Sequence, residues 1–101
     1  MTFLTNNNIF NNTTIGSVSV GNTSTEIVPA NIARKHCSLT NKDSKDVWIN
    51  YGAPAVFGQG ELIGKHGGSR QLTSTDLTTL AINGITDSGT NNIAFLEGDV
   101  V

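Results

Sequence analysis

Cysteine is almost absent from this sequence. With Cys37 alone, the chain forms no intramolecular disulfide and no multi-cysteine zinc site, and the residue is expected to be a small buried apolar one. Charge is also scarce, at 14% of residues, so most of the surface has to be polar without being ionised. There is no positive surplus either: six Lys and Arg stand against eight Asp and Glu, for a net charge of −2 and a pI near 5.4. That argues against a general nucleic-acid binder, which needs a basic patch. No apolar run approaches the roughly 20 residues of a membrane span. The opening M-T-F-L-T-N-N-N-I-F has neither a basic region nor an apolar stretch of secretory length, which predicts synthesis and assembly in a cytoplasm.

What is present is Asn, Thr, Ser and Gly, with apolar residues in short alternating sets. The most legible stretch is Arg34 to Gly52. Cys37 and Leu39 alternate with Ser38 and Thr40, and Val47, Ile49 and Tyr51 alternate with Trp48 and Asn50. A period of two marks strands with one buried face. The polar stretch between them, Asn41 to Asp46, predicts the loop of a β-hairpin.

Along the chain, Ile15 to Val20 reads as a strand with Val18 and Val20 on one face. Thr25 to Val28 reads as another, stopped by Pro29. After Tyr51 a long loop leads to a short strand at Glu61 to Ile63, and a Gly67-Gly68 turn leads to one at Ser69 to Thr73. Leu77 to Asn83 alternates with Leu80 and Ile82 on one face, and Gly84 to Gly89 breaks that strand. Asn91 to Glu97 carries Ile93 and Phe95 on one face and Ala94 and Leu96 on the other, as inside a sandwich or at a subunit contact. Seven to nine short antiparallel strands in one domain predict an all-β fold, a small β-sandwich of jelly-roll type. The sandwich is expected over residues 15–101. Residues 1–14 form an Asn- and Thr-rich arm whose apolar anchors Phe3, Leu4, Ile9 and Phe10 suit docking on this subunit or a neighbour, or else a loose leader.

The chemistry-bearing residues are dispersed. His36 and His66 lie thirty residues apart, with no second ligand at metal-binding spacing. Adjacent His36 and Cys37 fall on opposite faces of a strand and make no catalytic pair. The Gly64-Lys65 pair fails as a phosphate loop, because Gln59 stands where the first glycine belongs and His66 where Ser or Thr belongs. No G-x-S-x-G motif occurs. The expectation is a protein without enzymatic activity, metal or cofactor. Trp48 is expected to face outward from its strand, either covered by a neighbouring loop or exposed as an anchor for a partner. With Phe3, Leu4, Ile9 and Phe10 it completes the candidate interface.

Several of these features occur together in a known type of protein. The alternating Val18 and Val20, Asn31 and Arg34 before a strand ending in Asn41, the aromatic strand Trp48 through Gly52, Gly60 through Ile63, and Gly67-Gly68-Ser69 follow in order. This arrangement, over about residues 17 to 97, resembles small β-rich virion proteins of tailed bacteriophages, of the capsid decoration (cement) type. Lys65-His66 departs from it, where such proteins more often carry a Pro. The resemblance implies a symmetric subunit, a trimer by preference, that binds the major capsid protein on the outer surface of the virion. Its work would be to bury surface across capsomer junctions. The alternative is a receptor- or carbohydrate-binding module, or an adaptor, on a phage head or tail fibre.

Overall fold

Alternation of period two organises most of this chain into strands. A computed structural model describes residues 9–73 and 75–101. Within them run β1 (Asn12–Val20), β2 (Thr25–Val28), β3 (Arg34–Asn41), β4 (Val47–Tyr51), β5 (Glu61–Ile63), β6 (Ser69–Leu72), β7 (Ile82–Ile85) and β8 (Asn91–Asp99). All pairings are antiparallel, in two four-stranded sheets of order β1-β8-β3-β6 and β2-β7-β4-β5. The pairs are nested: first strand with last, second with seventh, third with sixth, fourth with fifth. The first and second halves of the chain thus run as one long hairpin that is rolled over on itself. This is a jelly-roll sandwich.

The expected hairpin of β3 and β4 does not form. β3 pairs with β6 and β8, whereas β4 pairs with β5 and β7 in the opposite sheet. Residues 41–46 therefore arch between the sheets. Asn41 explains why. Its side chain is buried, donates to the carbonyls of Lys45 (2.7 Å) and Ile63 (3.1 Å), and accepts from the amide of Asn91 (2.7 Å). Asn91 in turn accepts from the Lys45 N–H at 3.0 Å. These bonds replace the ladder a hairpin would have supplied, and no buried polar side-chain atom among the described residues lacks a partner.

The alternation itself holds, since Cys37, Leu39, Val47 and Ile49 all point into the space between the sheets and are fully buried. With Ile63, Leu72, Ile82 and Ile93 they form the core. β1 begins at Asn12, so Asn12 to Thr14 pair with β8 rather than belonging to an arm.

The strand expected at Leu77 to Asn83 is displaced to Ile82–Ile85. Leu80 lies outside it, half exposed, with its carbonyl turned to Arg34. Gly84 does not break the strand; it lies within it, where a Cβ would come within 2.7 Å of Ile27 Cδ1. Glycine is needed there because the Ile27 and Val47 side chains of the flanking strands β2 and β4 meet over it.

Arg34 is the most buried charge, at 1% exposure. Strict alternation from Cys37 would turn it outward, but a bulge between Arg34 and His36 resets the register and aims it inward. Its guanidinium donates to Glu97 Oε2 (2.7 Å) and to the carbonyls of Pro29 (2.6 Å), Thr78 and Leu80 (2.8 Å each). One side chain thereby fixes the connections on both sides of it to β3 and β8.

Candidate interaction surface

The outer face of the β2-β7-β4-β5 sheet carries a partly exposed apolar row. Val47 and Ile49 point inward, so Trp48 points outward between them. In register it stands beside Leu62 of β5 and Ile85 of β7. The three side chains form a row across three strands. Phe57, from the β4–β5 loop, sets its ring edge against Trp48 at a centroid distance of 6.5 Å and 72°. Trp48 is thus partly covered by this loop, yet Val56 and Phe57 are themselves 49% exposed and Leu62 48%.

The loop that presents Val56 and Phe57 is pinned rather than free. Its Pro54 carbonyl accepts from Asn50 Nδ2 (3.1 Å), its Ala53 carbonyl from Asn83 Nδ2 (2.8 Å), and its Ala55 N–H donates to Ser24 Oγ (2.8 Å). Gly60 closes it at φ 94°, where a Cβ would sit 2.3 Å from the Ile49 carbonyl oxygen. Asn50 and Asn83 thus each commit one amide N–H to this loop.

Of the other expected interface residues, Phe10 docks on its own subunit. Its ring stacks on His36 at 5.6 Å and lies over Gly98, where a Cβ would come within 2.6 Å of it. Ile9 beside it is 47% exposed. Phe3 and Leu4 lie outside the described residues. The structure does not bring Phe10 and Trp48 together, because they sit on opposite sheets. Sequence reasoning missed Phe57, Leu62 and Ile85; the signal available was that Leu62 and Ile85 have the wrong parity for the core of their own short strands.

The polar clusters are occupied with joining the sheets. At one edge the Tyr51 hydroxyl donates to Glu61, whose other oxygen accepts from Arg70 Nε (2.9 Å), and Arg70 reaches Asp76 (3.0 Å). Burial, and then the hydrogen bond to Glu61, raise the Tyr51 pKa above its usual 10.0. Cys37 is sealed in the core, and burial pushes its thiol up to about 11, against a lowering pull from Arg34. His36 faces the opposite way from it, under Phe10. Among the described residues no three His, Cys, Asp or Glu side chains gather as a metal site would need.

A depression of about 180 Å³ lies beside Phe57, lined by Lys45, Asp46, Lys65 and Asp87. Small-molecule sites usually enclose about 300–1,000 Å³, and here Lys45 is already paired with Asp87 at 3.6 Å. The surface suits contact with another macromolecule better than enclosure of a ligand. Comparison of the chain with protein-family models, with curated proteins and with solved structures found no match in any of the three.

Proposed function

We propose that this protein is a non-enzymatic structural subunit that docks, through the outer face of its β2-β7-β4-β5 sheet, on the outer surface of a bacteriophage capsid. The row of Leu62, Trp48 and Ile85, extended by Val56 and Phe57, carries the reading. A contiguous apolar strip on a rigid sheet, with a Trp at its centre, has the composition of a protein-binding hot spot. The resemblance to capsid decoration proteins supplies the partner, the major capsid protein. A jelly roll is compatible with that role but does not by itself argue for it.

The carbohydrate-binding alternative is the weaker one for a specific reason. A sugar site pairs an aromatic platform with polar groups free to bond hydroxyls. Here Asn50 and Asn83, on the outward side of β4 and β7, each give one amide N–H to the Pro54 and Ala53 carbonyls, and the Asn50 amide oxygen already accepts from the Tyr51 N–H.

The test is to add the purified protein to phage shells that lack it and measure occupancy by sedimentation and by image reconstruction. The parent chain should saturate defined positions, and Trp48→Ala should lower affinity by about 30-fold or more, the loss expected for a hot spot. A parent chain that leaves shells bare, or Trp48→Ala binding as tightly as the parent, refutes the proposal. Binding to an array of glycans in place of shells would favour the alternative.

A further inference from the structure

A sandwich has four edge strands, and exposed edges invite pairing with another chain unless they are short, charged, bulged or covered. Three edges here are protected. β2 is four residues long, carries Glu26, has a register shift and runs into Pro29. β5 is three residues long and carries Glu61. β6 is four residues long and carries Arg70.

β1 has none of these devices. It is nine residues long, has no charged residue and no proline, and pairs with β8 in unbroken register from Asn12 to Val20. Among the described residues no hydrogen bond reaches it from its far side. Phe10 turns over β8 onto His36, away from that side.

We infer that β1 pairs antiparallel with β1 of a second copy of this chain, across a two-fold axis at Ile15. Ile15 is 74% exposed and faces outward, beside Leu96 of β8 in register. A two-fold axis there sets Ile15 opposite Ile15 of the second copy, and Thr13 opposite Ser17. The outward row becomes Leu96, Ile15, Ile15, Leu96 without a break. Apolar and β-branched residues facing each other across an antiparallel pair stabilise it, and no like charges oppose because the strand has none. Such an isologous contact needs only one self-complementary strand. An edge of unlike sequence supplied by another protein would leave Ile15 without an equivalent partner. The product is one continuous eight-stranded sheet, a pair and not the trimer that the resemblance implies.

Cross-linking of the full chain tests the register. Ile15→Cys, under mild oxidation, should give a covalent dimer, because the two Cβ atoms face each other directly. Ser19→Cys should give none, since the two copies of residue 19 would lie about 27 Å apart at roughly 3.4 Å per residue. Cys37 is buried and does not compete. In sedimentation at rising concentration the parent should move from monomer to dimer. Ile15→Lys, on an exposed site, should remain monomeric with an unchanged circular dichroism spectrum. Dimers from both cysteine variants or from neither, a trimer, or an Ile15→Lys chain that still dimerises would each overturn the inference.

Discussion

Replacing Arg34 with Met probes this fold at its most demanding point. The substitution keeps the length and much of the apolar stem but removes four hydrogen bonds and a charge. Glu97, 8% exposed, is then left as a buried carboxylate without its counter-ion. Breaking a buried pair in this way costs about 3–5 kcal/mol. The carbonyls of Pro29, Thr78 and Leu80 lose their donor as well, at about 1 kcal/mol each where water can partly replace it. The total exceeds about 5 kcal/mol, against the roughly 5–15 kcal/mol that holds a typical domain together.

Arg34→Met should therefore be largely unfolded or melt far below the parent. Glu97→Gln should cost less, because an amide oxygen still accepts the Nε–H. The double variant Arg34→Met/Glu97→Leu should recover at least about 2 kcal/mol relative to the sum of its single changes, since no stranded carboxylate remains. Urea denaturation of the single and double variants measures this cycle. An Arg34→Met chain within about 1 kcal/mol of the parent, or a cycle that is simply additive, would refute the reasoning.

Gly60→Ala should destabilise the fold by about 2 kcal/mol or more, because φ 94° and the nearby Ile49 carbonyl both oppose a Cβ. Gly58→Ala, at φ 82° but in open space, should cost only about 1 kcal/mol in the same thermal melts. The Cys37 thiol, raised to about 11 by burial, should resist Ellman's reagent at pH 8 until the chain is unfolded in urea. In acid, Asp99 is held below its ordinary 3.8 by hydrogen bonds from Asn12 and Asn31, and Asp76 by the Thr73 N–H and Arg70. Depressed carboxylates stabilise the fold above that value, and the contribution is lost as pH falls through their folded pKa. Asp99→Asn and Asp76→Asn should accordingly weaken the protein at pH 7 and flatten the fall in melting temperature below about pH 4.

Local alternation made the strands legible in the sequence but not their partners. Thr25–Val28, Val47–Tyr51 and Glu61–Ile63 stand where their patterns and turn residues place them. The hairpin reading failed at Asn41, a polar residue before a polar turn, which is what a hairpin loop and an inter-sheet arch both look like. Only its burial against Asn91, fifty residues away, separates them. The displaced β7 has the same origin. Leu80 fits the alternation, but its carbonyl is needed by an arginine forty-six residues earlier. Trp48 could be picked out alone. Its row could not, because Leu62 and Ile85 reach it through strand pairing that no short window of sequence encodes.

The two proposed contacts constrain each other geometrically. Pairing of β1 with its copy preserves the faces of the sheet, since Ile15 meets Ile15 on the outward side. The two-fold axis therefore runs perpendicular to that sheet, and both copies carry their β2-β7-β4-β5 sheets on the same side of it. Both Trp48 rows then face one surface. A pair docking on a shell engages it twice, and the second contact forms at the high effective concentration set by the first, which commonly strengthens binding by about 10²-fold or more. Ile15→Lys, although remote from Trp48, should thus weaken shell binding by on the order of 100-fold while leaving one-to-one affinity for an isolated capsid subunit unchanged. Trp48→Ala should weaken both and leave the dimer intact. Titrations on shells and on isolated subunits, with both variants, separate these outcomes. If Ile15→Lys binds shells as the parent does, the pair and the docking face do not work together, and the two Trp48 rows do not share one surface.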